Sequence, residues 1–276
     1  MRRTIPLALL SGVMIALAAT LASGSSRQTA VADGGCSNHS LRGAYGFAVE
    51  GQAFGANGQE SAEFADEGRT VFDGRGSFTG SGTESLNGAI NPVAFSGTYS
   101  VESDCTGMAT IHGGLTAQLR FMLVERGQEI DVIDTDPGIV ATGQIVRQQV
   151  EGCTNASFKG VYSFATTGSF FAPTPTGPAE AGDVAAFGRI VADGRGGDTE
   201  ISQASFNGGQ AADTQTGTYT VNPDCTGSAR STHHPSNAVD TVNFVIVEGG
   251  AEAKFIVTNP GAVFVGTVDK QPMDAD

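Results

Sequence analysis

The sequence is poor in basic residues. Of its 276 residues, 15 are lysine or arginine and 29 are aspartate or glutamate, which gives a formal net charge of -14 at pH 7. A nucleic-acid-binding protein needs a surface rich in lysine and arginine to neutralise phosphates. The shortage of basic residues therefore argues against nucleic acid as a partner.

Tryptophan is absent, and beyond the N-terminus long apolar runs are absent too. The apolar fraction of 39% is dispersed over many short runs of valine, isoleucine and phenylalanine. That fraction is too high for a disordered acidic chain, and its dispersal excludes a protein with several membrane-spanning helices. Glycine, in contrast, is abundant, with 39 residues. The composition predicts a glycine-rich, soluble, all-β protein.

Residues 1–32 have the layout of a secretory signal peptide. Two arginines are followed by an apolar stretch over 5–22 and by small and polar residues up to Ala32. The sequence Ala30-Val31-Ala32 offers a cleavage site, and the alternative is a retained membrane anchor. The leader predicts an exported protein, periplasmic or extracellular, with no membrane span after cleavage.

The remaining chain is an internal duplication. The stretch Phe95–Gly107 recurs as Gln215–Gly227, and Cys36–Tyr45 recurs as Cys153–Tyr162. Repeats at a fixed offset decide the architecture and are therefore sought first. We assign one repeat to residues 36–148 and the second to residues 153–271.

Each repeat is predicted to contain about eight short strands. Tyr45, Phe47 and Val49 alternate with small residues, which is the pattern of a half-buried strand. In the first repeat the strands are expected near 43–50, 63–73, 76–84, 94–102, 107–113, 117–125, 128–134 and 138–147. Asp73-Gly74 suggests a two-residue type I′ turn, and the many glycines favour barrels over sandwiches. The predicted fold is all-β, with two tandem antiparallel β-barrels.

The sixth strand of each repeat is apolar on both faces, over 121–124 in the first and 244–247 in the second. One face can line the barrel, and the other needs a cover. We expect the two barrels to pack on each other as a pseudo-dimer, partly through this strand. The alternative is a modest exposed apolar patch.

The four cysteines allow three disulfide pairings. Because each repeat should close itself, we expect bonds between Cys36 and Cys105 and between Cys153 and Cys225. A redox pair or a metal site is the alternative, but the sequence has no C-x-x-C motif and no histidine at ligand spacing.

Histidine and acidic residues give no clear catalytic or metal site. His233 and His234 fall in a stretch that is longer than its equivalent in the first repeat, and we expect an exposed loop there rather than a metal site. Residues Glu129, Asp131, Asp134 and Asp136 form an acidic run that we interpret as a solvated strand edge and turn. No metal, cofactor or catalytic residue is predicted.

Aromatic residues at inward strand positions are the candidates for contact with a ligand in the barrel lumen. Their alternative role is to fill the core. The candidates are Tyr45, Phe47 and Tyr99 in the first repeat, and Tyr162, Phe164 and Tyr219 in the second.

Four motifs together resemble a known family. They are Gly-x-Tyr-x-Phe at 43–47, Asp-Gly-x-Gly at 73–76, Gly-Thr-Tyr-x-Val-x-x-Asp-Cys-Thr-Gly at 97–107 and Pro-Gly-x-Val-x-x-Gly at 137–143. They are similar to exported bacterial proteins with an allene oxide cyclase-like, calycin-type β-barrel. The resemblance implies either a cyclase that shapes a reactive polyene or a carrier that holds an apolar molecule, and no catalytic residue of such cyclases matches a position in this chain.

Three functions therefore remain open. The leading hypothesis is a non-enzymatic exported protein whose barrel interior binds a small apolar ligand, since an eight-stranded barrel can hold one small molecule. The second is a cyclase or isomerase that confines its substrate. The third is a structural or surface protein with filled barrels. The presence or absence of a cavity separates the third hypothesis from the other two.

Overall fold

A computed structural model describes residues 35–114, 116–175 and 177–272 of the chain. The predicted signal peptide of residues 1–32 lies outside the described residues. Within the described part, no helix is long and apolar enough to cross a membrane. Three short 3-10 segments, at Asn38–Ser40, Asn155–Ser157 and Glu248–Gly250, accompany the strands.

The described residues form two closed, antiparallel, eight-stranded barrels, which confirms the predicted fold class. The first barrel contains β1 Arg42–Phe54, β2 Glu60–Asp73, β3 Ser77–Leu86, β4 Ala89–Val101, β5 Thr106–Gly113, β6 Ala117–Val124, β7 Glu129–Asp134 and β8 Ile139–Arg147. The second contains β9 Lys159–Thr174, β10 Gly177–Asp193, β11 Gly197–Phe206, β12 Gly209–Val221, β13 Thr226–His234, β14 Val239–Val247, β15 Glu252–Val257 and β16 Ala262–Lys270.

Each barrel closes by pairing its first strand with its last. Tyr45 of β1 pairs with Thr70 of β2 on one side and with Arg147 of β8 on the other. Because side chains alternate between the two faces of a strand, this register turns every second residue of β1 into the lumen.

The turn after β2 differs from the predicted two-residue type I′ turn. Asp73 ends β2, and its carboxylate accepts hydrogen bonds from the backbone N–H groups of Arg75, Gly76 and Ser77 at 2.7, 3.0 and 2.9 Å. Only the glycines in this loop, Gly74 and Gly76, have positive φ. The aspartate organises a longer loop through its side chain, as aspartates in turns commonly do.

One end of each barrel is closed by the disulfide and by a tyrosine. The pairings Cys36–Cys105 and Cys153–Cys225 are confirmed. In the first barrel the Tyr99 hydroxyl donates to the Leu41 carbonyl at 2.9 Å, beside the first disulfide. We call this the closed end of the barrel. The disulfides fit a chain that folds in an oxidising compartment.

The two barrels pack together through different faces. The outer face of β1–β3 of the first barrel meets the outer face of β14–β16 of the second, and Ala65, Ile256 and Val263 form a buried cluster there. A Cβ atom on Gly46 would lie 2.5 Å from Val245, so the backbone of β1 touches β14 directly. The predicted packing through the sixth strand is therefore confirmed for β14.

For β6 the same prediction is wrong. Met122 on its outer face is 53% exposed, because the first barrel uses the opposite side of its wall in the contact. The outer face of β6 is the exposed apolar patch that was the alternative.

Polar side chains also cross the contact between the barrels. Lys254 is 2% exposed, pairs with Glu252 at 2.6 Å and donates to Gln144 of the first barrel at 3.1 Å. Ser85 donates to the Ala262 carbonyl at 2.5 Å. These buried bonds fix one relative position of the two barrels.

Candidate ligand-binding site

The first barrel contains a cavity of about 330 Å³. A cavity of roughly 150 Å³ lined by apolar side chains holds benzene, and small-molecule sites begin near 300 Å³. The walls are largely apolar and come from all eight strands and the segment before β6; the apolar lining includes Phe47, Val49, Phe64, Phe95, Ile111, Leu119, Val132 and Ile145.

The cavity reaches the surface at the end of the barrel away from the disulfide. Leu86, which lines it there, is 40% exposed. Asp134 and Asp136 also line this mouth. They belong to the acidic run that the sequence placed on a solvated edge, but the register turns Asp134 inward, and burial raises its pKa.

Phe47 lies in the cavity wall, whereas the two tyrosines of the first barrel lie at its closed end. Tyr45 is fully buried and donates from its hydroxyl to the Gly127 carbonyl at 2.8 Å. Its ring packs on Phe72 with centroids 5.2 Å apart, and Phe72 packs on Tyr99 at the same distance. Both hydroxyls are bonded to the backbone, and these tyrosines lie below the floor of the cavity, which Leu41 and Phe72 line.

The second barrel fills the same space with phenylalanine. The small or β-branched residues Ala53, Val132 and Ala141 line the first cavity; by strand register their counterparts are Phe170, Phe255 and Phe264. The rings of Phe170 and Phe264 pack 4.7 Å apart. A ring at each counterpart position occupies space that the smaller side chains leave open in the first barrel.

The sequence candidates of the second repeat belong to that filled core. Tyr162 and Tyr219 are buried, and Phe164 packs against the same cluster. The Tyr219 hydroxyl donates to the Phe158 carbonyl at 2.7 Å, as Tyr99 does to Leu41 in the first barrel. Burial raises the pKa of Tyr162 to about 12.

Two carboxyl groups stand in the apolar wall of the first cavity. Asp66 and Glu84 are directly paired across β2 and β3, and both line the cavity. Asp66 is 8% exposed, and its Oδ1 atom has no hydrogen-bond partner among the described residues. Burial, followed by the nearby charge of Glu84, raises the pKa of Asp66 to about 7.

An unpaired buried carboxyl is costly, because desolvation penalises its charged form and a missing hydrogen bond is not replaced by water. Like charges directly opposite each other on neighbouring strands are also unfavourable. The pair is therefore unfavourable for stability. A ligand with a hydrogen-bond donor would supply the missing partner of the Asp66 carboxyl.

The lumen of the second barrel carries a different polar group near its mouth. His233 contacts Asp213 through Nδ1 and Asp240 through Nε2, the latter at 2.7 Å. Burial alone lowers the pKa of His233, but the hydrogen bonds to Asp240 and Asp213 outweigh it and the pKa is raised. Gln215 donates to Glu200 at 3.0 Å in the same lumen. These groups satisfy one another.

The expected loop of exposed imidazoles is wrong for His233. Both histidines lie at the end of β13, so they point to opposite faces. His233 faces the lumen, while His234 is exposed and contacts Thr216 at 2.9 Å. Since both ring nitrogens of His233 are occupied by carboxylates, the residue is not placed to ligate a metal.

Sequence reasoning missed the acidic pair, although a signal was present. Asp66 has the same parity as Phe64 and Phe72, which face the lumen, and Glu84 has the same parity as Phe78 and Leu86. Asp66 is followed by a second acid, Glu67, which has the opposite parity. Two adjacent acids suggest a solvated segment, yet a strand places one of them on each face.

Comparison with known proteins assigns no family to the chain. No protein-family model matches the chain, and no curated protein matches it. The crystal structure of CghA is 8% identical, with a TM-score of 0.27 over 84% of this chain and 89% of that one. A putative AttH from Nitrosomonas europaea is 9% identical, with a TM-score of 0.27 over 85% and 93%. A protein of unknown function of the DUF3598 family from Nostoc punctiforme is 8% identical, with a TM-score of 0.24 over 84% and 97%. These likenesses carry no argument about function, and the resemblance to allene oxide cyclase-like proteins stays a prediction.

Proposed function

We propose that the first barrel binds a small apolar molecule that carries one hydrogen-bond donor, and that the second barrel is its structural partner. The observation that carries this proposal is the apolar cavity of about 330 Å³ with a carboxyl oxygen in its wall that has no partner in the described part of the chain. Apolar walls favour an apolar guest because its transfer from water is favourable. The carboxyl group then selects among apolar guests.

The acidic pair favours one class of ligand and rejects another. A hydroxyl or amine placed beside Asp66 would give its Oδ1 the missing hydrogen bond, whereas an anionic group would meet two carboxyls and lose its hydration. The acids at the mouth, Asp134 and Asp136, act in the same direction on an approaching anion. We therefore expect neutral or cationic guests.

Two fluorescent probes with the same aromatic framework test this selection. N-phenyl-1-naphthylamine is apolar and has one N–H donor, and 1-anilinonaphthalene-8-sulfonate differs from it by a sulfonate. The expected result is a fluorescence increase that saturates with the amine probe and binding at least tenfold weaker with the sulfonate. Asp66→Asn should reduce the difference in binding affinity between the two probes.

A matched pair of variants locates the probe. Ala141→Phe installs the ring that the second barrel has at the same position; its counterpart Phe264 packs on Gly168, and the first barrel also has a glycine there, Gly51. The variant should fold and lose probe binding. Val140→Ser replaces an exposed apolar side chain at the neighbouring outer position. This variant should bind the probe as the unaltered protein does. Unchanged binding in Ala141→Phe, or no binding at all, would contradict the proposal.

Export is part of the same proposal. It is supported by the leader sequence and by the two disulfides, which persist in oxidising compartments. The mass of the protein recovered from its own host tests this directly. A mature chain beginning near Asp33, outside the cytoplasm, is expected, and an intact chain in the cytoplasm would contradict it.

A second function, isomerisation or cyclisation of the bound molecule, is favoured by the position of Asp66 in the apolar cavity wall, where its Oδ1 atom has no partner among the described residues. The raised pKa of Asp66, about 7, lets its carboxyl hold a proton inside an apolar site, as a general acid requires. Asp66 would give a proton to a carbon or oxygen of the guest and regain one as the product forms. In D₂O the molecule extracted from the purified protein should then gain deuterium, and Asp66→Asn should abolish that exchange while still binding the amine probe.

A further inference from the structure

The contact between the two barrels joins unlike faces, so each barrel keeps one face unused. The first barrel contributes its β1–β3 face to the contact and the second contributes its β14–β16 face. Because the barrels are copies of each other, the second barrel also has a β9–β11 face, equivalent to β1–β3. The first barrel likewise has a β6–β8 face, equivalent to β14–β16.

The unused β6–β8 face carries hydrophobic side chains at the interface positions. Val245, Ile256 and Val263 are 0%, 0% and 3% exposed in the contact within the chain. Their counterparts by strand register are Met122, Ile133 and Val140, which are 53%, 51% and 64% exposed. Large apolar side chains are thus kept where the second barrel buries its own.

The unused β9–β11 face is likewise exposed at positions that are buried in the first barrel. Ala65 and Glu67 are 1% and 3% exposed in the contact, whereas their counterparts Ala185 and Phe187 are exposed, Phe187 at 58%. Two shallow grooves run along this face, and Phe187 and Gln203 line both of them. In the first barrel the equivalent surface is the one covered by Ile256 and Val263.

We propose that the chain associates head to tail with further copies of itself, the β9–β11 face of one chain receiving the β6–β8 face of the next. The structure already contains this contact once, between its own barrels. The interface between chains is heterologous, so it forms an open string of chains unless a rotation closes it into a ring.

The contact between chains is weaker than the contact within the chain for two physical reasons. The short connection from β8 to β9 gives the two barrels an effective concentration of about 1 mM or more, which separate chains do not have. In addition, Asp131 stands where the buried Lys254 stands in the second barrel, so a carboxylate must be desolvated. Lys254 pairs with Glu252, and the counterpart of Glu252 is Glu129, so Asp131→Lys recreates the pair.

Sedimentation of the purified protein from about 1 µM to 1 mM measures this association. The average mass should rise with concentration above that of one chain, and Asp131→Lys should shift the rise to roughly tenfold lower concentration. Val140→Arg and Phe187→Arg, which each block one face, should remain monomeric. Ser96→Arg on the outer face of β4, which belongs to neither face, should behave as the unaltered protein.

Mixing the two blocked variants tests the head-to-tail arrangement itself. Val140→Arg keeps its β9–β11 face and Phe187→Arg keeps its β6–β8 face, so their mixture should form one-to-one dimers that grow no further. If either variant alone still dimerises, the contact joins like faces and the proposal is wrong. A mass equal to one chain at every concentration would also overturn it.

Discussion

Asp66 and Glu84 face each other across neighbouring strands inside an apolar cavity. Such a pair is unfavourable in an empty barrel, because burial penalises the charged form of Asp66 and the nearby charge of Glu84 adds repulsion. A protein retains an arrangement of this kind when it serves recognition or proton transfer, since buried groups with a perturbed pKa concentrate at functional sites. The pair adds a polar, acidic group to a cavity whose other walls are largely apolar.

Asp66 makes the barrel less stable as the pH rises. Its pKa is about 7 in the folded protein, against 3.8 for an ordinary aspartate. The protonated carboxyl of Asp66 therefore leaves the free energy of unfolding at its full value below about pH 4. That free energy falls progressively as the pH rises to about 7 and the carboxyl loses its proton. Asp66→Asn should exceed the unaltered protein in free energy of unfolding at pH 8 by up to about 4 kcal/mol, with little difference near pH 4. Urea unfolding at both pH values measures this, with the exposed Asp131→Asn as control; an equal gain at both pH values would contradict it.

Lys254 is expected to be essential for the contact between the barrels. Removing one partner of a buried ion pair leaves the other charge uncompensated and typically costs about 3–5 kcal/mol. Lys254→Met should therefore lower the free energy of unfolding by about that amount. Asp131→Met, at the equivalent exposed position of the first barrel, should change it by less than about 0.5 kcal/mol. Similar losses in the two variants would show that burial of the pair is not the cause.

Phe264 and Ala141 occupy equivalent positions in a filled and a hollow barrel, so exchanging them has opposite effects. Phe264→Ala should cost about 3–5 kcal/mol, because it removes a ring from a packed core. Ala141→Phe should leave stability unchanged or raise it by about 0.5–2 kcal/mol, because it fills existing space. Thermal or urea unfolding distinguishes these outcomes. A large loss in Ala141→Phe would mean that the first lumen has no room for the ring.

The two disulfides should stabilise the protein almost equally. Their cysteines are 69 and 72 residues apart, and in the chain-entropy model a loop of that length contributes about 4 kcal/mol. The double variants Cys36→Ala/Cys105→Ala and Cys153→Ala/Cys225→Ala should therefore lose similar amounts of unfolding free energy. A loss confined to one of them would indicate that native-state strain, rather than loop closure, controls the effect.

The barrel fold was predictable because the repeat, the strand alternation and the cysteines all point to the same architecture. The strand ends were less accurate. The prediction ends the third strand near 84 and begins the fourth near 94, whereas the strands run to Leu86 and from Ala89 around Asn87-Gly88. That dipeptide has positive φ at both residues, and Asn-Gly is the strongest short-range signal for a tight hairpin.

The site was harder to predict because it depends on what the lumen does not contain. No local sequence pattern indicates that Ala53, Val132 and Ala141 line the same cavity, because they lie on three strands that come together only when the barrel closes. Comparison of the two repeats in register could have found it, because the same three positions hold phenylalanine in the second repeat. Asp66 was obscured by its neighbour Glu67, which the structure places on the opposite face, where burial raises its pKa to about 8.

The filled second barrel has a consequence for how such a chain can change over time. In a single-barrel protein, every side chain removed from the lumen to make room for a guest weakens the only core. Here a second barrel with its own buried core is fused beside the hollow one and shares a buried contact with it. Substitutions that reshape the first lumen are buffered by a neighbour that keeps its own buried core, so duplication separates the residues that keep the protein folded from those that are free to change in the first lumen.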